Sequence, residues 1–137
     1  MLIKEVPLED VWQMRYTIMY PETSLAYVKL PKDDAGKHYG LYDRGELMSV
    51  VSVFWEEGKL QFRKFCTRVD QQGKGYGSAL LKYLFEELIP KHSVSAVWCN
   101  ARTTAISIYE RFGMTKTDQT YQKDGWDFVI MEKRLAD

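Results

Sequence analysis

The sequence predicts one mixed α/β domain, and three observations carry that prediction. A chain of 137 residues falls within the roughly 100 to 200 that organise around a single core. Apolar residues make up 45% and charged residues 28%, an ordinary globular composition able to fill such a core. The period of the apolar pattern also changes along the chain: helical near the start, two-residue from His38, and alternately helical and strand-like after Gly77. No internal repeat, linker or low-complexity segment interrupts that order.

"MLIKEV" reads as a short opening strand. Pro7, followed by Glu9 and Asp10, marks a helix start with acids near its positive end. Trp12, Tyr16, Met19 and Tyr20 recur at helical spacing up to Pro21, which predicts an aromatic face turned to the core. Residues 21–37 read as irregular or loosely helical and end in the loop "PKDDAGK". From His38, "HYGLYDRGELMSVVSVFWEEGKLQFRKFCT" holds three β-rich runs separated by the turns "DRG" and "EEG", an antiparallel meander. Leu80, Leu81, Leu84, Phe85 and Leu88 then give a helix whose apolar stripe ends at Pro90. "SVSAVWCN" is a buried strand, reached from the run ending at Thr67 by a strand–helix–strand crossover. Ala105, Ile108, Tyr109 and Phe112 share one face of a further helix closed by Gly113. "MTKTDQTYQKDGWDFVIMEKRL" is a terminal hairpin with Asp124-Gly125 at its tip.

Charge and cysteine usage narrow the function. Lys plus Arg equal Asp plus Glu at 19 each, so no overall basic field gathers nucleic acid. Cys66 and Cys99 each sit inside an apolar run, without the close pairing of a zinc or redox site, and are expected as free thiols. No metal is expected. No segment approaches the roughly 20 apolar residues of a membrane span. A cytoplasmic protein, monomer or homodimer, is the expectation.

"RVDQQGKGYGSALLKYL" puts Gly73, Gly75 and Gly77 just ahead of a helix. Glycines between a strand and a helix turn successive N–H groups toward one concavity, and the helix adds about half a positive charge there. That is a cradle for an anion. A P-loop is excluded, because Lys74 lies between glycines and no Lys precedes Ser78. The dinucleotide fingerprint fails as well, with Leu80 at its third small position.

The pattern Gln72-x-x-Gly75-x-Gly77, set between strand and helix, resembles the pyrophosphate-binding motif of the GNAT family of acetyl-coenzyme A-dependent N-acetyltransferases. "ARTTAISIYERFGM" resembles the second helix motif of that family, and the element order agrees over nearly the whole chain. The resemblance implies one acyl-CoA N-acyltransferase domain over 1–137. Its central sheet, mostly antiparallel with six to seven strands, is splayed between the fourth and fifth strands and flanked by about four helices. It implies coenzyme A pyrophosphate on the amides of Gly73, Lys74, Gly75, Tyr76, Gly77 and Ser78 beside Gln72, at positions where a Cβ would collide with it. Lys74 and Arg68 add screening. Strands 60–67 and 94–100 would part, leaving the main chain of Phe65, Cys66 and Thr67 for pantetheine.

The same resemblance implies attack of a neutral amine on the acetyl thioester. A backbone N–H near Cys66 would serve the oxyanion, and the Tyr109 hydroxyl would protonate the leaving sulfur. Arg102 stands where many members have Asn, so it either binds cofactor or faces solvent. Gln61 replaces the strand Glu of some members and cannot take a proton. The meander is expected to bring His38, Glu56 and Gln61 together on the substrate side. His38 is the first candidate for the base, because histidine titrates near physiological pH, and Glu56 is the second. A solvated loop histidine and a water chain without a dedicated base are the alternatives. Arg63, read as sharing a face with Gln61 and Phe65, is expected to hold an acidic group of the acceptor, with Trp55, Trp12 and Tyr16 as pocket walls or core residues. The acceptor is expected to be a primary amine of a small molecule. A non-catalytic acyl-CoA sensor, favoured by the missing strand Glu, and a structural domain that keeps the fold are the rival readings.

Overall fold

A computed structural model describes residues 1–135. Strands β1 (Leu2–Glu5), β2 (Lys37–Asp43), β3 (Glu46–Glu56), β4 (Lys59–Thr67), β5 (Ala96–Arg102), β6 (Thr115–Lys123) and β7 (Trp126–Arg134) form one sheet in the order β1-β2-β3-β4-β5-β7-β6. Four helices flank it: α1 (Leu8–Met14), α2 (Leu25–Val28), α3 (Tyr76–Tyr83) and α4 (Ile106–Glu110). The meander has the expected tips at Arg44-Gly45 and Glu57-Gly58, and the terminal hairpin turns at Asp124-Gly125. All three tips have left-handed backbone at both residues, the twist that suits two-residue hairpins.

The crossover β4–α3–β5 gives the sheet's parallel pair, and the pair is short. Only Lys59, Gln61 and the Leu60 between them match Ala96, Trp98 and Val97. Beyond Gln61 the strands separate, so the rest of β4 is paired on its β3 side alone. A bulge at Lys64, at φ 54°, shifts the β3–β4 register between Val50 and Ser52. A bulge inserts one residue and inverts the inside–outside alternation after it. Arg63 therefore lies opposite Ser52 with Gln61 on one face, whereas Phe65 joins the other face. The expected common face of Gln61, Arg63 and Phe65 is corrected on that ground.

Each sheet face has its own cover. Val51, Val53, Leu60 and Phe62 pack against Leu80, Leu81 and Leu84 of the α3 segment and against Tyr109 of α4. Val50 and Cys66 on the opposite face meet Met14 and, from the π-helical turn Arg15–Met19 that continues α1, Ile18 and Met19. The buried residues of that first helix are Val11, Met14 and Arg15. Trp12, Tyr16, Met19 and Tyr20 are only half-buried, so the aromatic face lies one position off the core-facing stripe.

Arg15 is 0% exposed and anchors a polar network. Its guanidinium donates to the Val28 carbonyl (2.9 Å), to both oxygens of Asp33 (2.8 and 3.0 Å) and to Ser52 Oγ (2.8 Å). Asp33 also accepts from Trp12 Nε1 (2.9 Å) and the Leu30 amide (2.8 Å). Burial pulls its carboxyl up, but the bonds from Arg15, Leu30 and Trp12 outweigh that and hold it below the ordinary 3.8. The network ties residues 28–38 to α1 and β3.

Candidate active site

The glycines divide the work at the head of α3. Gly73 and Gly75 have φ of 80° and 86°, and a Cβ built on either meets nothing within 4 Å. Their requirement is left-handed backbone facing open space. Gly77 is different. A Cβ there would lie 2.9 Å from Phe65 Cζ and 3.1 Å from Thr67 Oγ1, so its bare Cα lets α3 sit directly on β4. The first helical amide bond is Ala79 onto the Gly75 carbonyl at 3.0 Å, and no amide from Gly73 to Ser78 donates to another described residue. These N–H groups are left free for a ligand, which is what a cradle at this place requires. Gln72 Nε2 donates to the Thr67 carbonyl at 3.2 Å and Tyr76 donates to Asp43 at 2.6 Å, which fix the loop on the strand ends. Lys74 turns aside to Gln71 at 3.1 Å.

From this cradle a cleft of about 1080 Å³ runs down the unpaired edge of β4 to the apex where β5 rejoins it. It gathers Gln72, Gly73, Gly75, Tyr76, Gly77 and Ser78 at the cradle, Arg63, Phe65, Cys66 and Thr67 on β4, and Arg102 and Tyr109 across the gap. The residues present fit an extended ligand with a phosphate head: unpartnered amides at one end and an open strand edge along the side. The Tyr109 ring is held 5.5 Å from Phe62 and 6.4 Å from Phe65, centroid to centroid. Burial, with Cys99 nearby, pushes its phenol well above the usual range, so the hydroxyl keeps its proton. The Cys66 thiol is pushed up to about 12 by burial, so it is no nucleophile. Both cysteines are free. Arg102 stacks on the Trp126 ring at 4.2 Å while lining the cleft.

The expected trio of His38, Glu56 and Gln61 does not assemble. His38 is buried and lines neither cavity, with Nδ1 2.7 Å from Ser52 Oγ and Nε2 2.9 Å from the Asp33 carbonyl. Ser52 accepts from Arg15, so its own hydroxyl is free to donate to Nδ1, and Nε2–H donates to the carbonyl. Both ring nitrogens of His38 thus have partners inside the fold. Its place opposite Ser52 in the β2–β3 register, two pairs from Phe54↔Gln61, puts it over the Arg15 network. Trp55, Glu56 and Gln61 line a separate cavity of about 240 Å³ that Arg63 shares. Glu56 is exposed there and pairs with Lys32 at 3.3 Å.

Sequence reasoning missed several residues that line the large cleft: Tyr20, Tyr27, Lys64, Asn100, Lys123 and Trp126. Two adjacent cations in "FRKF", where a strand alternates, were the available signal for Lys64.

The sequence matches the acetyltransferase (GNAT) domain over residues 6–135. The chain belongs to the GNAT acetyltransferase family. It is 27% identical over 143 residues to the uncharacterized N-acetyltransferase YitI of Bacillus subtilis, covering 97% of this chain and 95% of that one. Its fold is that of a candidate N-acetyltransferase from Lactobacillus plantarum, with TM-score 0.83 at 23% identity over 99% of this chain and 100% of that one. A Bacillus subtilis acetyltransferase solved in complex with CoA superposes with TM-score 0.74 at 14% identity, over 98% of both chains. The splayed seven-stranded sheet is the GNAT fold, and no helix among the described residues is long and apolar enough to cross a membrane.

Proposed function

We propose that this GNAT domain transfers acetyl from acetyl-CoA to a primary amine of a small molecule by direct attack in a ternary complex. The observation that carries the reading is the open edge of β4 running from unpartnered amides at the head of α3 to the buried Tyr109. Acetyl-CoA supplies the activated acetyl thioester. The amides of Gly73 to Ser78 hold its pyrophosphate, each charge-assisted bond contributing about 1.5 to 3 kcal/mol, with Arg102 in the cleft wall screening the charge; Lys74 is held by Gln71 and Arg68 by Glu46 and Asp70. The main chain of Phe65, Cys66 and Thr67 takes the pantetheine arm as an added strand. An N–H near Cys66 stabilises charge on the carbonyl oxygen, and Tyr109 donates its proton to the sulfur.

Arg63, without an acidic partner among the described residues, receives an acidic group of the acceptor, with Gln61 and Trp55 in the adjoining cavity. With His38 sequestered, the amine loses its proton to water. Glu56, across the small cavity from Arg63, is the one acid of the expected set near that path.

A thermal-shift titration with acetyl-CoA and with free CoA, beside Gly75→Glu, tests the cofactor. At 100 times its Kd a ligand stabilises by about 2.7 kcal/mol, several degrees for a domain of this size. Wild type shifting while the folded variant does not supports the reading, and an amine panel follows. No shift in either makes the glycines a turn only, and binding without turnover on the panel favours a sensor.

A further inference from the structure

The cleft holds a lysine on the strand edge that the proposed reading leaves unused. Lys64 is the extra residue of the β4 bulge, close to Gln61, where the pairing with β5 stops. A donor anchored at residues 72–78 and lying along β4 brings its acyl end toward that apex. Lys64 stands there. Its ammonium donates to the Tyr20 hydroxyl and lies 4.8 Å from the centre of the Tyr20 ring. The cations whose fields reach it are Arg63 of β4, Lys123 of β6, Arg15 and Arg102 of β5. The cleft acids Glu22 and Asp124 form no ion pair with it among the described residues.

Burial, and then these cations, bring its ammonium down from 10.5 to about 8. Near neutral pH that gives more free amine than an ordinary lysine has. A neutral amine at the acyl end of the cleft is what an acceptor has to be.

We propose that Lys64 is a self-acetylation site, taking acetyl from acetyl-CoA bound in the same cleft when no acceptor amine is present. The inference rests on the acetyl-CoA reading above. The Nζ lone pair forms the bond to the thioester carbonyl carbon, the carbon–sulfur bond breaks, and the proton shed by nitrogen ends on the sulfur. The products are an uncharged amide on Lys64 and free CoA, with no oxidant or further reactant. The modification removes one cation from the acceptor end of the cleft and leaves Tyr20 without its charged partner.

The test incubates the intact chain with acetyl-CoA at several pH values, reads whole-protein mass and then locates acetyl groups by peptide mass spectrometry. The thermal shift is measured in parallel. Expected are one acetyl per chain, on Lys64, formed faster as pH rises toward about 8, suppressed by excess free CoA, and absent in Lys64→Arg. Acetyl spread over surface lysines and insensitive to free CoA overturns the proposal, as does a CoA-induced shift with Lys64 unmodified. No shift at all fails the acetyl-CoA reading itself, and the two failures are thereby told apart.

Discussion

Arg15 and Asp33 show what one buried charge requires of its neighbours. The guanidinium is shut off from water, so removing its anion leaves an uncompensated charge. Asp33→Asn should cost about 3 to 5 kcal/mol, read as a lower urea midpoint at unchanged slope. The pH dependence follows from the depressed carboxyl. As pH falls the unfolded carboxyl takes its proton first, so this stabilisation is complete above the unfolded value and fades as pH drops through the folded one. The variant should lose that part of the acid limb. Tyr109 is the second residue whose surroundings set its role. Tyr109→Phe keeps the ring against Phe62 and Phe65 but removes the proton, and should lower kcat by about 10²- to 10⁴-fold with the CoA thermal shift intact. Unchanged turnover would make it a packing residue only. Tyr109 was legible in its helix motif. The Arg15 network was not, because its partners are 13 to 37 positions away and a charged side chain in an amphipathic helix reads as solvated.

At the level of elements, α3 and β4 depend on each other through Gly77. A valine there would press on Phe65 and Thr67, so Gly77→Val should cost about 1 to 3 kcal/mol as overpacking, measured by thermal melting without ligand. A melting temperature equal to wild type would show that the helix can slide outward at no cost. The hairpin tips, the crossover and the helix closed by Gly113 were readable because turn and cap chemistry is local: an Asp-Gly or Arg-Gly pair between strand runs admits few conformations. The bulge at Lys64 was not. In "RKF" nothing local says which residue is the extra one, and the choice is made by Val50 and Ser52 on the neighbouring strand. That one-residue slip moved Phe65 to the α3 face and left a lysine in the cleft.

For the whole molecule, the decisive fact is that the two halves of the sheet meet along a short stretch. On the proposed reading, saturating CoA should slow amide hydrogen exchange at 65–67 and 73–78 while the β2–β3 ladder around Gly40 and Val50 stays as it was. Uniform protection, or none, would contradict a ligand seated in the gap. The parting of β4 and β5 was expected through the motif resemblance, whereas composition and periodicity alone imply only a mixed sheet. The gap has a further consequence. It is lined by Ile18 and Met19 from the α1 cover and by Ile108 and Tyr109 of α4, so it reaches side chains that cover both faces of the sheet. On the proposed reading, a ligand seated there touches both covers at once, so its arrival joins parts of the chain that the short β4–β5 pairing leaves loosely connected.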